Sequence, residues 1–514
     1  MPSYSSGQFY HDWRYAIKKD FADPSGEPVK YAQDGFRTWG RELHKIPLSE
    51  APNGVSVNTD GSLIAIAAKE DILIYDTTSF SQIMVLKGHV SRIDALAFQP
   101  GKPKVLVSSA QNNYAGSAPA EPTIIFWDLD EQKKHPIMED SEVLKIANQA
   151  KDNIVKNLQE AQTRIELSTE EEGRLISAIE PVISRIAKTH SVVNRKFIHG
   201  RLQGSFQSEI FSPSGSHFIY LPGNRPISNG KDAWDVKIYS MTTNEDAFTL
   251  IGHTDCLMWM GYSPDESMIA TVAWDQSMRI WDAATGQQKY VFETKGQNWT
   301  GGFSPDSTKF AGTCGNGTFY VYSMVDGTTL VEHTPEAGRG WMRALDWSAD
   351  NNFVAVGGGH GAGSGILFLY DVEKKQVTQE RILSTDACKV DQDTKRFLGG
   401  FLECCKVRFV DGGRKVAALT GGDGGIETYD LNTWEKWRFT RPGIDPESEE
   451  DVNEDEGKAE ESTEKGQKKE KEKAHGGYAM QVWEDQKMGK VFIASMDTDA
   501  VRIWDVLMTM GNES

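Results

Sequence analysis

Eight short segments of this chain share one ending: an apolar run leads into an aromatic residue and then Asp or Ser. They are ILIYD to Asp76, IIFWD to Asp128, VKIYS to Ser240, MRIWD to Asp282, FYVYS to Ser323, LFLYD to Asp371, IETYD to Asp430 and VRIWD to Asp505. The intervals from Ser240 to Asp282 and from Asp282 to Ser323 are 42 and 41 residues. Most units also carry an earlier run that ends in an aromatic and a turn, as in AFQPG from Ala97, IFSPSG from Ile210, GYSPDE from Gly261, GFSPDS from Gly302, DWSADN from Asp346 and RFVDGG from Arg408. Pro, Gly, Asp and Ser supply turn chemistry there, and the residues between alternate with period two, as half-buried strands do. A unit of this size cannot bury its own apolar face, so copies must stack. That excludes a single conventional layered core for 514 residues.

This pattern resembles the WD-repeat family of β-propellers over roughly residues 31–135, 200–440 and 477–508. The resemblance implies an all-β propeller. Eight endings give eight blades, with seven the alternative if one degenerate unit is a decoration. In that family a His, a Ser or Thr, an Asp and a Trp form a hydrogen-bonded set inside a blade. His253, Thr271, Asp275 and Trp281 stand at the matching spacings, after Gly252. A buried indole N–H, imidazole and carboxylate must satisfy one another or each costs stability, so these residues are structural and not catalytic. Gly88-His89 with Ser108 or Ser109 and Trp127 is a partial match without the Asp, and Ser495, Asp499 and Trp504 form another. The chain ends nine residues after Asp505, which leaves the last unit short of a fourth strand. Residues near Gly40–Leu48 are expected to supply it and close the ring, removing exposed edges.

Two stretches interrupt the repeat. Val143, Ala147, Ala150, Ile154, Leu158, Ala161 and Ile165 recur in steps of three and four, an amphipathic helix. Ser168-Thr169-Glu170-Glu171 reads as a capping box for a second helix containing Pro181. The pair is a helical, coiled-coil-like hairpin, either folded back on the propeller or projecting as a partner-binding arm. Between Asp445 and Lys473 stand thirteen acidic and six basic residues with almost no bulky apolar one. Such a segment cannot offset its ordering entropy and is expected to be disordered. The chain therefore divides into an N-terminal extension (1–30), a closing strand with two repeats (31–135), the hairpin (136–199), repeats three to seven (200–440), the acidic loop (441–476) and the last repeat (477–514).

Composition narrows the partner. With 55 Lys and Arg against 74 Asp and Glu, the net charge is −19. Nucleic-acid binding needs clustered cations, so proteins are the expected partners, and a basic one suits the sign. Five cysteines do not make a disulfide framework. No secretory signal or membrane span is read in the sequence. An intracellular address, cytoplasm or nucleus, is therefore expected. No nucleophile-elbow or phosphate-loop pattern is present, and the glycine-rich run Gly357–Gly365 lies between two strands rather than before a helix. His253-x-x-Cys256 has no second ligand pair. Catalytic residues, metal and cofactor are expected to be absent, an enzyme working in the central channel being the weaker alternative.

The family resemblance also implies where partners dock: the face where the innermost strands begin. Its positions map onto Arg92 and Asp94; Ser205 and Gln207; Cys256, Met258 and Trp274; Gln297 and Trp299; Trp341 and Arg343; Glu403 and Cys405. Met258, Trp274, Trp299, Trp341 and Arg343 would then share one rim as an exposed cluster. Trp and Arg are the residues that dominate interface energetics. The competing expectation is that some of these rings pack between blades. The function expected is a non-catalytic scaffold for intracellular proteins, or an assembly chaperone for a basic client such as a ribosomal protein or histone.

Overall fold

The computed structural model describes residues 37–50, 52–110, 122–134, 140–160, 168–193, 196–205, 207–224, 226, 234–335, 340–359, 364–384, 403–420, 426–433, 436–438, 480–485, 490–496 and 500–509. The N-terminal extension, the acidic loop and Asp499 lie outside them. The chain forms two compact units, one of Met1–Val55, Gln203–Ile219 and Pro226–Ser514, the other of Ser56–Leu202 and Tyr220–Arg225.

The repeat is realised as antiparallel sheets built in chain order. In the first unit, Leu257–Tyr262, Met268–Ala273, Ser277–Asp282 and Gln288–Glu293 make one four-stranded sheet. Asn298–Phe303, Lys309–Cys314, Phe319–Ser323 and Thr329–His333 make the next. Met342–Trp347, Phe353–Gly359, Ser364–Asp371 and Gln376–Ser384 make a third. Seven of the eight Asp or Ser endings close a strand that is hydrogen-bonded to a further one, and Asp505 lies within Ala500–Thr509, which pairs with Arg37–Pro47. The ending residue has a local job. Asp282 accepts the N–H groups of Ala284 and Thr285, and Asp76 and Asp430 accept the two corresponding N–H groups in their own turns. A short acceptor there satisfies a turn that has no strand partner.

A second turn couples neighbouring sheets. Asp265, Asp306 and Asp350 each accept from the side chain two residues before and the backbone two residues after. The next residue is left-handed in every case: Glu266 at φ 59°, Ser307 at 61°, Asn351 at 63°. Glycine would adopt this conformation at less cost, but these side chains are used. Ser307 Oγ accepts the N–H of Asp265 at 3.1 Å, and Asn351 Oδ1 accepts that of Asp306 at 2.9 Å. The Glu266 carboxylate likewise takes the N–H of Ser214. Each turn thus caps the one before it. Apolar faces fill the space between sheets, as where Phe319 and Val321 pack with Leu345, Trp347, Val354 and Phe368.

The strand Arg37–Pro47 pairs antiparallel with Ala500–Thr509, from Gly40 opposite Thr509 to Pro47 opposite Ala500. Its first residues also run parallel to Lys436–Arg438. It therefore supplies the outer strand to the last repeat and joins that repeat to the sheet before it.

In the second unit, Ile93–Phe98, Val105–Ala110, Thr123–Asp128 and Phe197–Arg201 form a sheet interrupted by three helices: α1 (Leu129–Gln132), α2 (Asp140–Glu160) and α3 (Thr169–His190). Ser168 and Glu171 cap α3 reciprocally. The N–H of Ser168 donates to the Glu171 carboxylate at 2.8 Å, and that of Glu171 donates to Ser168 Oγ at 3.3 Å. The base of the pair is anchored. Val143, Ala147 and Ala187 are buried, Lys188 pairs with Glu70, and Val192 enters the core around Trp127 and Leu129. Further out, Ile154 and Val182 are exposed.

Candidate protein-docking rim

The hydrogen-bonded set around His253 ties the strands of one sheet together. His253 Nδ1 donates to Asp275 Oδ2 at 2.7 Å, and its Nε2 accepts from Thr271 Oγ1 at 2.7 Å. Thr271 Oγ1 in turn accepts the indole N–H of Trp281 at 2.8 Å. Every proton in this chain has one acceptor, which assigns the imidazole tautomer and keeps the ring neutral. Burial lowers the His253 pKa, with Asp275 opposing it. Burial works to raise the Asp275 pKa, yet the bonds from His253, Ser277 and Thr254 hold it at about 2. In the second unit, His89 Nε2 and Trp127 Nε1 both meet Ser108 Oγ, at 2.7 and 2.8 Å. Ser109 instead donates to Asp94 at 2.6 Å. Trp504 donates to Ser495 at 3.0 Å.

Five of the innermost strands share a register shift at their start. It falls between Leu257 and Trp259, Asn298 and Gly301, Met342 and Ala344, Cys404 and Lys406, and Ile93 and Ala95. A bulge inserts an unpaired residue and re-aims its side chain. The residues so placed include Met258, Trp299, Arg343, Cys405 and Asp94, which are among the sequence-derived rim positions.

Trp274, Trp299, Trp341 and Arg343 come together as one ladder across three successive sheets. The Trp274 and Trp299 rings meet edge-to-face with centroids 5.3 Å apart, and Trp299 and Trp341 stack at 4.9 Å. The Arg343 guanidinium carbon lies 4.8 Å from the Trp299 centroid and 4.7 Å from that of Trp341. Its Nε is 3.1 Å from the Glu403 carboxylate. Burial raises the Glu403 pKa, with Arg343 opposing. Two glycines make room. A Cβ on Gly315 would lie 3.0 Å from Trp299 Nε1 and 3.3 Å from Trp341 Cδ1, and one on Gly358 would clash with the Trp341 carbonyl.

The patch is less open than an exposed cluster of five side chains. Met258 and Trp299 are buried and Trp274 is half-buried, while Trp341 is 48% exposed. The rings cover one another, Trp299 being in contact with both Trp274 and Trp341. The Met258 carbonyl accepts from Gln203 at 2.8 Å.

Gln207, expected on the rim, is turned inward and buried. Its φ is +66°. Its Nε2 donates to the Val407 carbonyl at 2.8 Å. Its Oε1 accepts the N–H groups of Leu345 at 3.3 Å and Val407 at 3.2 Å. Its own carbonyl accepts the Trp259 indole N–H at 3.1 Å. One side chain therefore pairs backbone groups on the free edges of two inner strands. Glu209, Asp346, Lys406 and Arg408 also sit on this stretch of chain and these strands. Arg408 bonds Asp346 at 3.0 Å, burial raises the Glu209 and Asp346 pKa values, and burial, helped by Arg408, lowers that of Lys406 to about 8. Sequence reading missed this group; charged residues inside otherwise apolar strands were the available signal. Burial also pushes the Cys404 thiol well up, against reactivity. Among the described residues, no group of His, Cys, Asp and Glu is placed to hold a metal, and no helix is long and apolar enough to cross a membrane.

The model of the WD domain, G-beta repeat, matches residues 244–282, the repeat that carries His253 and Trp281. THO complex subunit 3 of Arabidopsis thaliana is 32% identical over 117 residues, covering 23% of this chain and 37% of that protein. Eukaryotic translation initiation factor 3 subunit I of Scheffersomyces stipitis is 26% identical over 173 residues, 31% of this chain and 47% of that protein. WD repeat-containing protein 90 of mouse is 26% identical over 159 residues, 31% of this chain and 8% of that protein. The matches thus cover less than half the length of each of these relatives. With repeated four-stranded sheets, the matched repeat and these relatives, the chain is a WD-repeat protein of β-propeller type, with no closer subfamily assigned.

Proposed function

We propose that this chain is a non-catalytic scaffold that docks an intracellular protein partner on the rim formed by Trp274, Trp299, Trp341 and Arg343. The observation that carries the reading is the ladder itself. Three indoles and a guanidinium lie against one another across three sheets and end on an exposed Trp341. A preorganised aromatic surface loses little side-chain entropy on binding, and Trp and Arg are the common anchors of interfaces. Two of the similar proteins are, by name, subunits of multiprotein complexes, which supports a scaffold role without naming a partner. We also propose eight blades for the full ring.

The test is quantitative co-purification with wild type and a Trp341→Ala, Arg343→Ala double variant, leaving the buried Trp299 in place. Loss of a defined set of proteins from the variant supports the rim as the docking site; an unchanged set refutes it. A second reading, an assembly chaperone for a basic client, rests on the net charge of −19. It requires that the captured protein be basic and released by salt.

A further inference from the structure

The ladder ends on a cation, and that decides the charge of what it can hold. The Trp299 and Trp341 rings already hold the Arg343 guanidinium, whose carbon lies within 5 Å of both centroids. An incoming lysine or arginine would have to displace it to reach the same ring faces. Arg343 itself is under-used. A guanidinium carries five N–H donors in a planar fork, and among the described residues Arg343 meets one carboxylate, that of Glu403, through Nε. The edge bearing the two terminal nitrogens, away from the Nε that faces Glu403, can pair bidentately with a carboxylate. The Arg343 side chain is 22% exposed, next to the open Trp341 ring.

We propose that the rim takes an acidic, apolar segment of a partner protein, seating an Asp or Glu side-chain carboxylate on the terminal nitrogens of Arg343 and a neighbouring apolar side chain on the open face of Trp341. The proposal rests on the rim being the docking surface and names the chemistry of its occupant. It runs against the basic partner that the net charge of −19 suggests. The two scales differ. Net charge acts at long range and is screened beyond about 8 Å at physiological salt, whereas recognition at Arg343 is a contact between two groups. Added salt should therefore leave this docking intact or strengthen it, the reverse of its effect on a basic client.

The experiment uses the full chain labelled with 5-fluorotryptophan, the Trp341 resonance being assigned by Trp341→Phe. The probes are capped heptapeptides of sequence acetyl-Gly-Ser-Leu-Glu-Leu-Ser-Gly-amide and its Gln and Lys counterparts at the central position. The glutamate peptide is expected to shift the Trp341 resonance saturably and to bind about fivefold or more tightly than the other two. Arg343→Gln should bring all three to one affinity. Arg343→Lys, which keeps the charge and removes the fork, should lose most of the preference. Unchanged resonances from the indoles outside the ladder certify that each variant is folded. A lysine peptide that binds as well as the glutamate one, a preference that survives Arg343→Gln, or no saturable shift up to about 5 mM overturns the proposal. If partners drop out of the Trp341→Ala, Arg343→Ala co-purification while the lysine peptide wins here, the docking surface stands and only its charge assignment falls.

Discussion

Replacing Gln207 with alanine removes three hydrogen bonds and leaves their partners, Leu345 N–H, Val407 N–H and Val407 C=O, without the amide that pairs them. A buried group stripped of its partner costs about 1–3 kcal/mol. Two of the three bonds are long, at 3.2 and 3.3 Å, and the truncated side chain leaves space that water can enter. The expected loss is therefore nearer the bottom of the summed range, about 3 kcal/mol. A chain of 514 residues has an unfolding entropy of about 1 kcal/mol/K, so the melting temperature should fall by about 3 °C. A second substitution separates the bonds from the backbone. Alanine inherits the left-handed φ of +66°, which costs an L-residue about 1–2 kcal/mol. Glycine loses the same bonds but not this strain. In an ordinary strand Gly is worse than Ala by about 0.5–1 kcal/mol; at position 207 it should be no worse than alanine. Urea unfolding of the three proteins followed by tryptophan fluorescence measures both differences. An alanine variant within about 0.5 kcal/mol of wild type, or a glycine variant worse by its usual amount, would refute the account of Gln207 as a link between inner strands.

Thr271→Val deprives both Trp281 and His253 of one shared hydroxyl and should cost about 2–4 kcal/mol; Thr271→Ser keeps the hydroxyl and should cost less than half as much, so equal urea midpoints for the two would refute the hydrogen-bonded set. Gly315→Ala puts a methyl 3.0 Å from Trp299 Nε1 and 3.1 Å from the Gln297 carbonyl; the near-UV circular dichroism of the stacked indoles should weaken with a loss of about 1–2 kcal/mol, and an unaltered spectrum would show that the ladder does not depend on that glycine. Lys406 has a folded pKa of about 8 against an ordinary 10.5, so between those values the unfolded chain binds more protons and stability from this group rises with pH. Lys406→Met should accordingly melt higher than wild type at pH 7 and lose that advantage by about pH 10; an advantage that does not change with pH would place the Lys406 amine in water.

The repeat was legible because its signals are local. Period-two burial, the Asp that caps its own turn at Asp76 and Asp282, and the Ser-x-Asp turn at Ser263 all act within a few residues, and each leaves a mark at a constant spacing. The His253 set was legible for a related reason: its members lie within one repeat, and a buried imidazole and indole need those particular partners at those distances. The rim positions came from the family resemblance, and Met258, Trp299, Arg343, Cys405 and Asp94 among them fall at register shifts, each four residues before the aromatic that ends its strand. What the rings do there was not legible. Exposure of Trp299 depends on whether Trp274 and Trp341, 25 residues before it and 42 after it, lie against its faces.

The sequence by itself therefore determined the unit of this fold: which residues form strands, which turns join them and which residues must pair inside a blade. Only the tertiary structure decided which side chains reach between units. Gln207 belongs, on spacing alone, with the outward rim positions, yet it pairs with Leu345 and Val407, 138 and 200 residues away. It does so because inner strands leave N–H and C=O groups on a free edge, and a buried edge must be paired by whatever lies opposite. That requirement is set by stacking the repeats, so no single repeat records it.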